Sequence, residues 1–225
     1  MALPKERITE VIKYCNRDLV PDQNYSPDNQ YHNEWFISYF SFLRDPQVEK
    51  QLGDAFYQAR FVYKLMNALN LPLAKQKGIV KFQIVQYASI CEAVLDLAID
   101  HYFKEEAETE FSINEFVKHP NAISADTKIT CGSTQLVLCK TKHRKGDLRR
   151  TRVDFKTKFG VSKGLISQAT KESYDSLYDR RNNIHILKAA KSEYTPRLKE
   201  AKEAFLLMES FVCEIKAYYL EHAQA

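Results

Sequence analysis

The stretch GIVKFQIVQYASICEAVLDLAIDHYFKEE, Gly78 to Glu106, decides the fold. Its apolar residues recur at nearly every angle of a 3.6-residue turn. That predicts a helix without a broad solvent face, lying at the centre of a bundle. One polar stripe interrupts it: Ser89, Glu92, Asp96 and Asp100 follow at three- and four-residue steps. The stripe reads as a narrow solvent face or as capping partners for neighbouring helices. A functional reading stands beside it, in which Glu92 or Asp96 pairs with an arginine from the 180 region and orients it.

Working outward, KERITEVIKYCNRDL carries Ile8, Val11, Ile12 and Cys15 at helical spacing, and VPDQNYSPDNQYHN after it has the Pro, Asp and Asn density of a loop. Asp45-Pro46 opens a helix expected to run to about Asn70, with Pro46 in its first turn. The aromatics between, Trp35, Phe36, Tyr39, Phe40 and Phe42, tempt one to see a base-stacking platform, but at helical spacing they read as core. Two helices close the chain. One is expected from about Lys163 to Lys191, the other from about Thr195 to Ala223, started by Thr195-Pro196.

Composition agrees with a mainly helical protein. Six glycines and seven prolines in 225 residues leave little turn chemistry for an all-β fold. Five scattered cysteines, never spaced C-x-x-C, argue against a disulfide framework or a zinc site and point to a reducing cytoplasm. The N-terminus lacks the features of a signal peptide, and no long uninterrupted apolar run suggests a membrane span.

Positive charge is local. Residues Lys140 to Lys163 hold ten Lys or Arg against two Asp, a net +8, whereas the whole chain is +4. The period here reads as two: Arg150, Arg152, Asp154, Lys156 and Lys158 alternate with Thr151, Val153, Phe155, Thr157 and Phe159. With Val137, Cys139 and Thr141 alternating upstream and Lys145-Gly146-Asp147 as the turn, a basic β-hairpin at about 134–160 is expected. Its register would set Lys140 opposite Arg152 and Lys142 opposite Arg150, an arrangement that a polyanion would neutralise. The expected nucleic-acid face is Lys140, Lys142, Arg144, Arg150, Arg152, Lys156 and Lys158; a solvated edge is the plainer alternative.

The segment YDSLYDRRNNIHILKAA, Tyr174 to Ala190, gathers two arginines, two asparagines and a histidine. In a straight helix Arg181 shares a face with His185, Tyr178 and Tyr174, whereas Arg180 lies about 140° from His185. Those two converge only if the helix breaks, and Asn182 and Asn183 favour a break.

An arginine followed after four to six residues by a histidine, near the end of an all-helical domain, resembles the HEPN superfamily. RRNNIH fits R-x4-H with Arg180 and His185. ISQATKESYDSLYDRRNNIHI and YASICEAVLDLAI are similar to that family's two motif-bearing core helices, so the resemblance spans about residues 78 to 223. Members usually place Asn, Asp or His after the arginine. Here Arg181 follows Arg180; taking Arg181 instead supplies Asn182 as the neighbour but shortens the gap to three residues. Leu187 stands where some toxin members carry a modifiable tyrosine.

The resemblance implies a mainly α, up-and-down helical bundle over residues 77–225; it leaves the basic hairpin and residues 1–76 unaccounted for, and the residues themselves lead us to expect these as an insertion and as a helical segment packed on the bundle. The resemblance implies a metal-independent endoribonuclease, a toxin or a phage-defence or stress effector, without a cofactor. Arg180, Arg181, His185 and Asn182 would be catalytic, with Asn183, Glu92 and Tyr178 orienting them. Partners would be RNA, a second copy of the chain, and an antitoxin or defence-system protein, with no membrane. RNA brings its own 2′-hydroxyl nucleophile, so a base, a phosphate clamp and positioning suffice. No metal-ligand spacing, P-loop or G-x-S-x-G appears in the sequence. The rival reading is a catalytically inactive helical module that binds a partner protein, nucleotide or nucleic acid.

Overall fold

A computed structural model describes residues 4–16, 33–118, 129–131, 134–136, 139–184 and 195–223. The chain is mainly helical. Its helices are α1 (Lys5–Asn16), α2 (Asn33–Ser38), α3 (Pro46–Ala68), α4 (Leu73–Glu110), α5 (Val153–Ser162), α6 (Gln168–Asn183) and α7 (Leu198–Glu221). Short 3₁₀ turns stand at Ser41–Leu43 and Leu148–Arg150. Among the described residues, four strands lie between α4 and α5: β1 (Ile113–Lys118), β2 (Ile129–Cys131), β3 (Thr134–Leu136) and β4 (Cys139–Arg144).

The expectation for the Gly78–Glu106 stretch holds and extends. It lies inside α4, which packs against α3, α5, α6 and α7 and so is the hub of the bundle. Val80, Ile84, Tyr87, Cys91, Leu95 and Ile99 are all buried along it. The helix is long and apolar enough to meet a length-and-composition test for a membrane span, but more than half of the tested window is buried by protein. Against it, α7 lays Ala201, Ala204, Met208, Phe211, Val212 and Ile215, a stripe at three- and four-residue steps. Truncating fully buried Phe211 to Ala would cost about 3–5 kcal/mol.

The N-terminal aromatics are core, as their spacing suggests. Phe36, Phe40 and Phe42 are buried, and Phe36 meets Phe56 of α3 edge-on at 4.9 Å. They belong to one continuous apolar cluster with the central helix and α7, so residues 33–68 are built into the bundle. Asp45 accepts from the backbone N–H groups of Gln47 and Val48, at 3.0 and 3.2 Å, which caps the start of α3 ahead of Pro46.

The basic hairpin is corrected. β4 is a strand, but it pairs antiparallel with β1, and Val153–Ser162 is helix α5. Lys140 faces Val117 and Lys142 faces Glu115, so the opposed like charges do not exist. β2 and β3, which lie between β1 and β4 in the chain, pair with each other as a separate two-stranded sheet. The helix wins over residues 153–162 because its buried face is Val153, Lys156, Thr157, Phe159 and Gly160, a three- and four-residue rhythm. Two members of that face are polar and one large apolar residue, Phe155, points outward. Hence an alternating reading fitted the letters while the chain folds as a helix.

Lys145-Gly146-Asp147 is therefore not a hairpin turn but the return of the β1–β4 arm to α4. The Gly146 N–H donates to the Glu108 carbonyl at 2.8 Å. A Cβ at Gly146 would stand 2.7 Å from the Cβ of Phe111, so only glycine permits this approach. The expected Lys163–Lys191 helix starts later, at Gln168, and its residues 185–191 lie outside the described residues. α5 stops at Ser162, Gly164 turns the chain at φ 73°, and α6 starts anew behind Ser167. α6 ends at Asn183, and α7 begins at Leu198 behind Arg197 rather than at Thr195-Pro196.

Candidate active site

Helix α6 is anchored at its start. The Ser167 hydroxyl accepts from the Thr170 N–H at 3.2 Å, and Glu214 of α7 accepts from the Ser167 N–H at 2.6 Å and from the Thr170 hydroxyl at 2.6 Å. Thr170, Tyr174 and Leu177 then form its buried face. Tyr174 donates to the Ala88 carbonyl of α4 at 3.1 Å, and burial pushes its phenol well above the ordinary range.

One more step along that stripe falls on Arg181. Its guanidinium reaches Glu92 of α4 at 3.3 Å and lies over the Tyr178 ring at 5.0 Å. The polar stripe of α4 thus has a function in packing, and Glu92 does hold an arginine of the 180 region. Arg180, one residue earlier, turns to α7 and pairs with Glu203 at 2.6 Å. That hydrogen bond holds the exposed Glu203 carboxyl below its usual range. The doublet is therefore divided between two helices. Both arginines sit in the last turn of α6, where cations suit the helix dipole.

Lys156 completes the junction. Its side chain is 3% exposed, with Nζ 2.7 Å from Asp96 and 3.6 Å from Glu92. Burial raises the Asp96 carboxyl pKa, and the hydrogen bond and charge of Lys156 pull it back. The other Asp96 oxygen, Oδ1, is buried without a hydrogen-bond partner. Next to this cluster, the Thr157 hydroxyl donates to Asp175 of α6 at 3.3 Å. Lys156 therefore belongs to the core and is removed from the expected nucleic-acid face.

Asn182 and Tyr178 line a cleft of about 410 Å³ together with Arg152, Asp154, Asp175 and Asp179. Three carboxylates with Arg152 as the one lining cation make this cleft acidic on the side away from Arg152. Asn183 is half-buried at the end of α6. His185 lies outside the described residues. The other expected basic residues fall in three places. Lys140 and Lys142 are exposed on β4, and Arg144 pairs with Glu115 across the ladder at 2.6 Å. Arg150 and Arg152 flank the start of α5, and Lys158 lies over the Phe155 ring at 5.7 Å. Among the described residues, no group of three or more His, Cys, Asp and Glu side chains could hold a metal ion.

Two participants escaped the sequence reading: Lys156 as a buried cation and Glu203 as the partner of Arg180. The first had a signal. Two carboxylates four residues apart on an otherwise apolar helix need a cationic partner. Comparison with family models, curated proteins and solved structures finds no match for this chain.

Proposed function

We propose that the chain is a metal-independent endoribonuclease of HEPN type, acting as a toxin or as a phage-defence or stress effector. The observation that supports this most is the unequal seating of the arginine doublet at the end of α6. Arg181 is tied to the central helix through partly buried Glu92 and acts as a positioning residue. Arg180, at the R-x4-H spacing from His185, is held by Glu203, a partner near the surface. The Glu203 side chain is 42% exposed, more than that of Glu92, so a phosphate reaches this pair and can displace Glu203 from it.

In the proposed reaction the RNA 2′-oxygen attacks the adjacent phosphorus while His185 takes its proton. Arg180 stabilises the charge that builds on the non-bridging oxygens. The bond from phosphorus to the 5′-oxygen breaks, that oxygen takes a proton from water as it leaves, and His185 then returns the 2′-hydroxyl proton to solvent. The products are a 2′,3′-cyclic phosphate and a 5′-hydroxyl. A second copy of the chain would bring a second motif to the same substrate.

The test is cleavage of single-stranded RNA in EDTA. His185→Ala is expected to lower turnover by about 10²–10⁴-fold with the fold intact. Arg180→Ala should lose turnover while staying within about 1 kcal/mol of the wild type in stability. Cleavage that strictly needs a divalent metal, or full activity in His185→Ala, would overturn the proposal. A second reading, an inactive helical module that binds a partner, draws on the same ion pairs, since carboxylates already occupy both guanidinium groups. It predicts no cleavage under any condition.

A further inference from the structure

At the base of the β-arm, where Gly146 returns the chain to α4, lies a second cleft of about 300 Å³. Phe111, Ile113 and Phe155 supply its apolar wall, and Arg144, Arg150 and Arg152 its charge. With Lys145, four cations line it against two carboxylates, Glu110 and Asp147. Phe155 is 51% exposed although α5 buries a full face without it. Arg150 and Arg152 have side chains 69% and 77% exposed, each paired only with a near neighbour, Asp147 at 3.5 Å and Asp154 at 3.0 Å.

We propose that this cleft is a binding site for one unstacked nucleotide of single-stranded RNA, its base on Phe155 and its flanking phosphates on Arg150 and Arg152. The inference rests on the endoribonuclease reading and names how the substrate is held. An aromatic face accepts any base, and arginines beside it both stack and take phosphate. Surface pairs such as Arg150–Asp147 exchange for phosphate at little cost, with release of counterions. A volume at the low end of the ligand-pocket range admits one base and its sugar but not a base pair. The site also has the right neighbour. Arg152 lines both this cleft and the one that contains Asn182, so the bound nucleotide sits beside the motif end of α6. Lys140 and Lys142 extend the positive surface along the arm.

The experiment measures binding apart from cleavage. A fluorescein-labelled single-stranded RNA of about ten nucleotides, 2′-O-methylated throughout so that it cannot be cut, is titrated into the full chain. Phe155→Ala is expected to weaken binding roughly 5- to 150-fold, the loss of one base–aromatic stack. Phe155→Trp is expected to bind like the wild type and to show indole quenching above the background of the one native tryptophan, Trp35. Circular dichroism of both variants controls for folding. Unchanged affinity in Phe155→Ala, no quenching in Phe155→Trp, preference for an RNA duplex, or no binding by the wild type would each overturn the site. The two readings fail separately. Phe155-dependent binding without any cleavage of unmodified RNA keeps the site and removes the endoribonuclease. Cleavage with Phe155→Ala indistinguishable from wild type does the reverse.

Discussion

Lys156 and Lys158 are two residues apart in one basic window, yet they occupy opposite electrostatic worlds. Lys156 is enclosed among α4, α5 and α6, with Asp96 and Glu92 as its counter-ions. Lys158 is exposed on the far side of the same helix, together with the exposed arginines at the base of the arm. A net charge counted along the chain treats all of them alike. The fold divides them into cations already neutralised by protein and cations still available to a polyanion. Only the second group can contribute to a salt-dependent affinity. The arginine doublet differs in partner: Arg181 pairs with Glu92 of the hub helix and Arg180 with the more exposed Glu203 of α7.

The strongest test of this contrast removes the buried cation. Lys156→Met should cost about 3–5 kcal/mol at neutral pH, because it leaves Asp96 and Glu92 close together without their shared partner. The sign of its pH dependence follows from Asp96. Its folded pKa is already raised above the ordinary 3.8 by burial, and Lys156 is what lowers it. A carboxyl with a raised folded pKa contributes most below its unfolded pKa and loses that contribution as pH rises through the folded value. Without Lys156 the folded value climbs further, so the penalty should shrink as pH falls toward about 4. Urea unfolding at several pH values measures this. A loss below about 1 kcal/mol, or one that grows in acid, would break the comparison.

A smaller effect separates the two arginines. Arg181→Ala leaves partly buried Glu92 with Lys156, 3.6 Å away, and without its guanidinium hydrogen bond, and should cost about 1–3 kcal/mol. Arg180→Ala releases a pair whose carboxylate is the more exposed one, and should stay within about 1 kcal/mol. Thermal melts of the two variants compare them directly, and equal losses would mean that the doublet is not divided as described.

The smallest effect on stability belongs to the exposed cations. Changing Arg150 and Arg152 together to Ser should alter stability by no more than about 0.5 kcal/mol. Its signature lies in binding, where the slope of log K against log salt should flatten by about 0.7 for each phosphate that the variant no longer neutralises. An unchanged slope would show that the exposed cations touch no phosphate.

Legibility in the sequence followed the same line. The hub helix could be read from Gly78–Glu106 because a helix surrounded by others is apolar all round. The cap at Asp45-Pro46 and the core role of Phe36 and Phe40 were equally legible, since each depends on neighbours within a turn or two. Helix α5 was misread because its buried face contains Lys156 and Thr157, and the burial of Lys156 depends on a carboxylate sixty positions upstream. Strand β1 went unread for a related reason: it is a short, exposed ribbon strand, specified by its pairing with β4 rather than by a core face. The candidate site was legible as a set of residue types in RRNNIH, but not as a geometry.

What the sequence by itself determined is therefore the helical hub, its amphipathic partners and a helix that carries the arginine doublet. These follow from periodicities that a segment contains within itself. Only the tertiary structure decided which positive charges are neutralised inside the protein, which arginine turns to which helix, and that Phe155 is left facing a basic cleft. The physical reason is that ion pairing and burial are relations between segments far apart in the chain. A lysine reads as polar until the fold places two carboxylates around it.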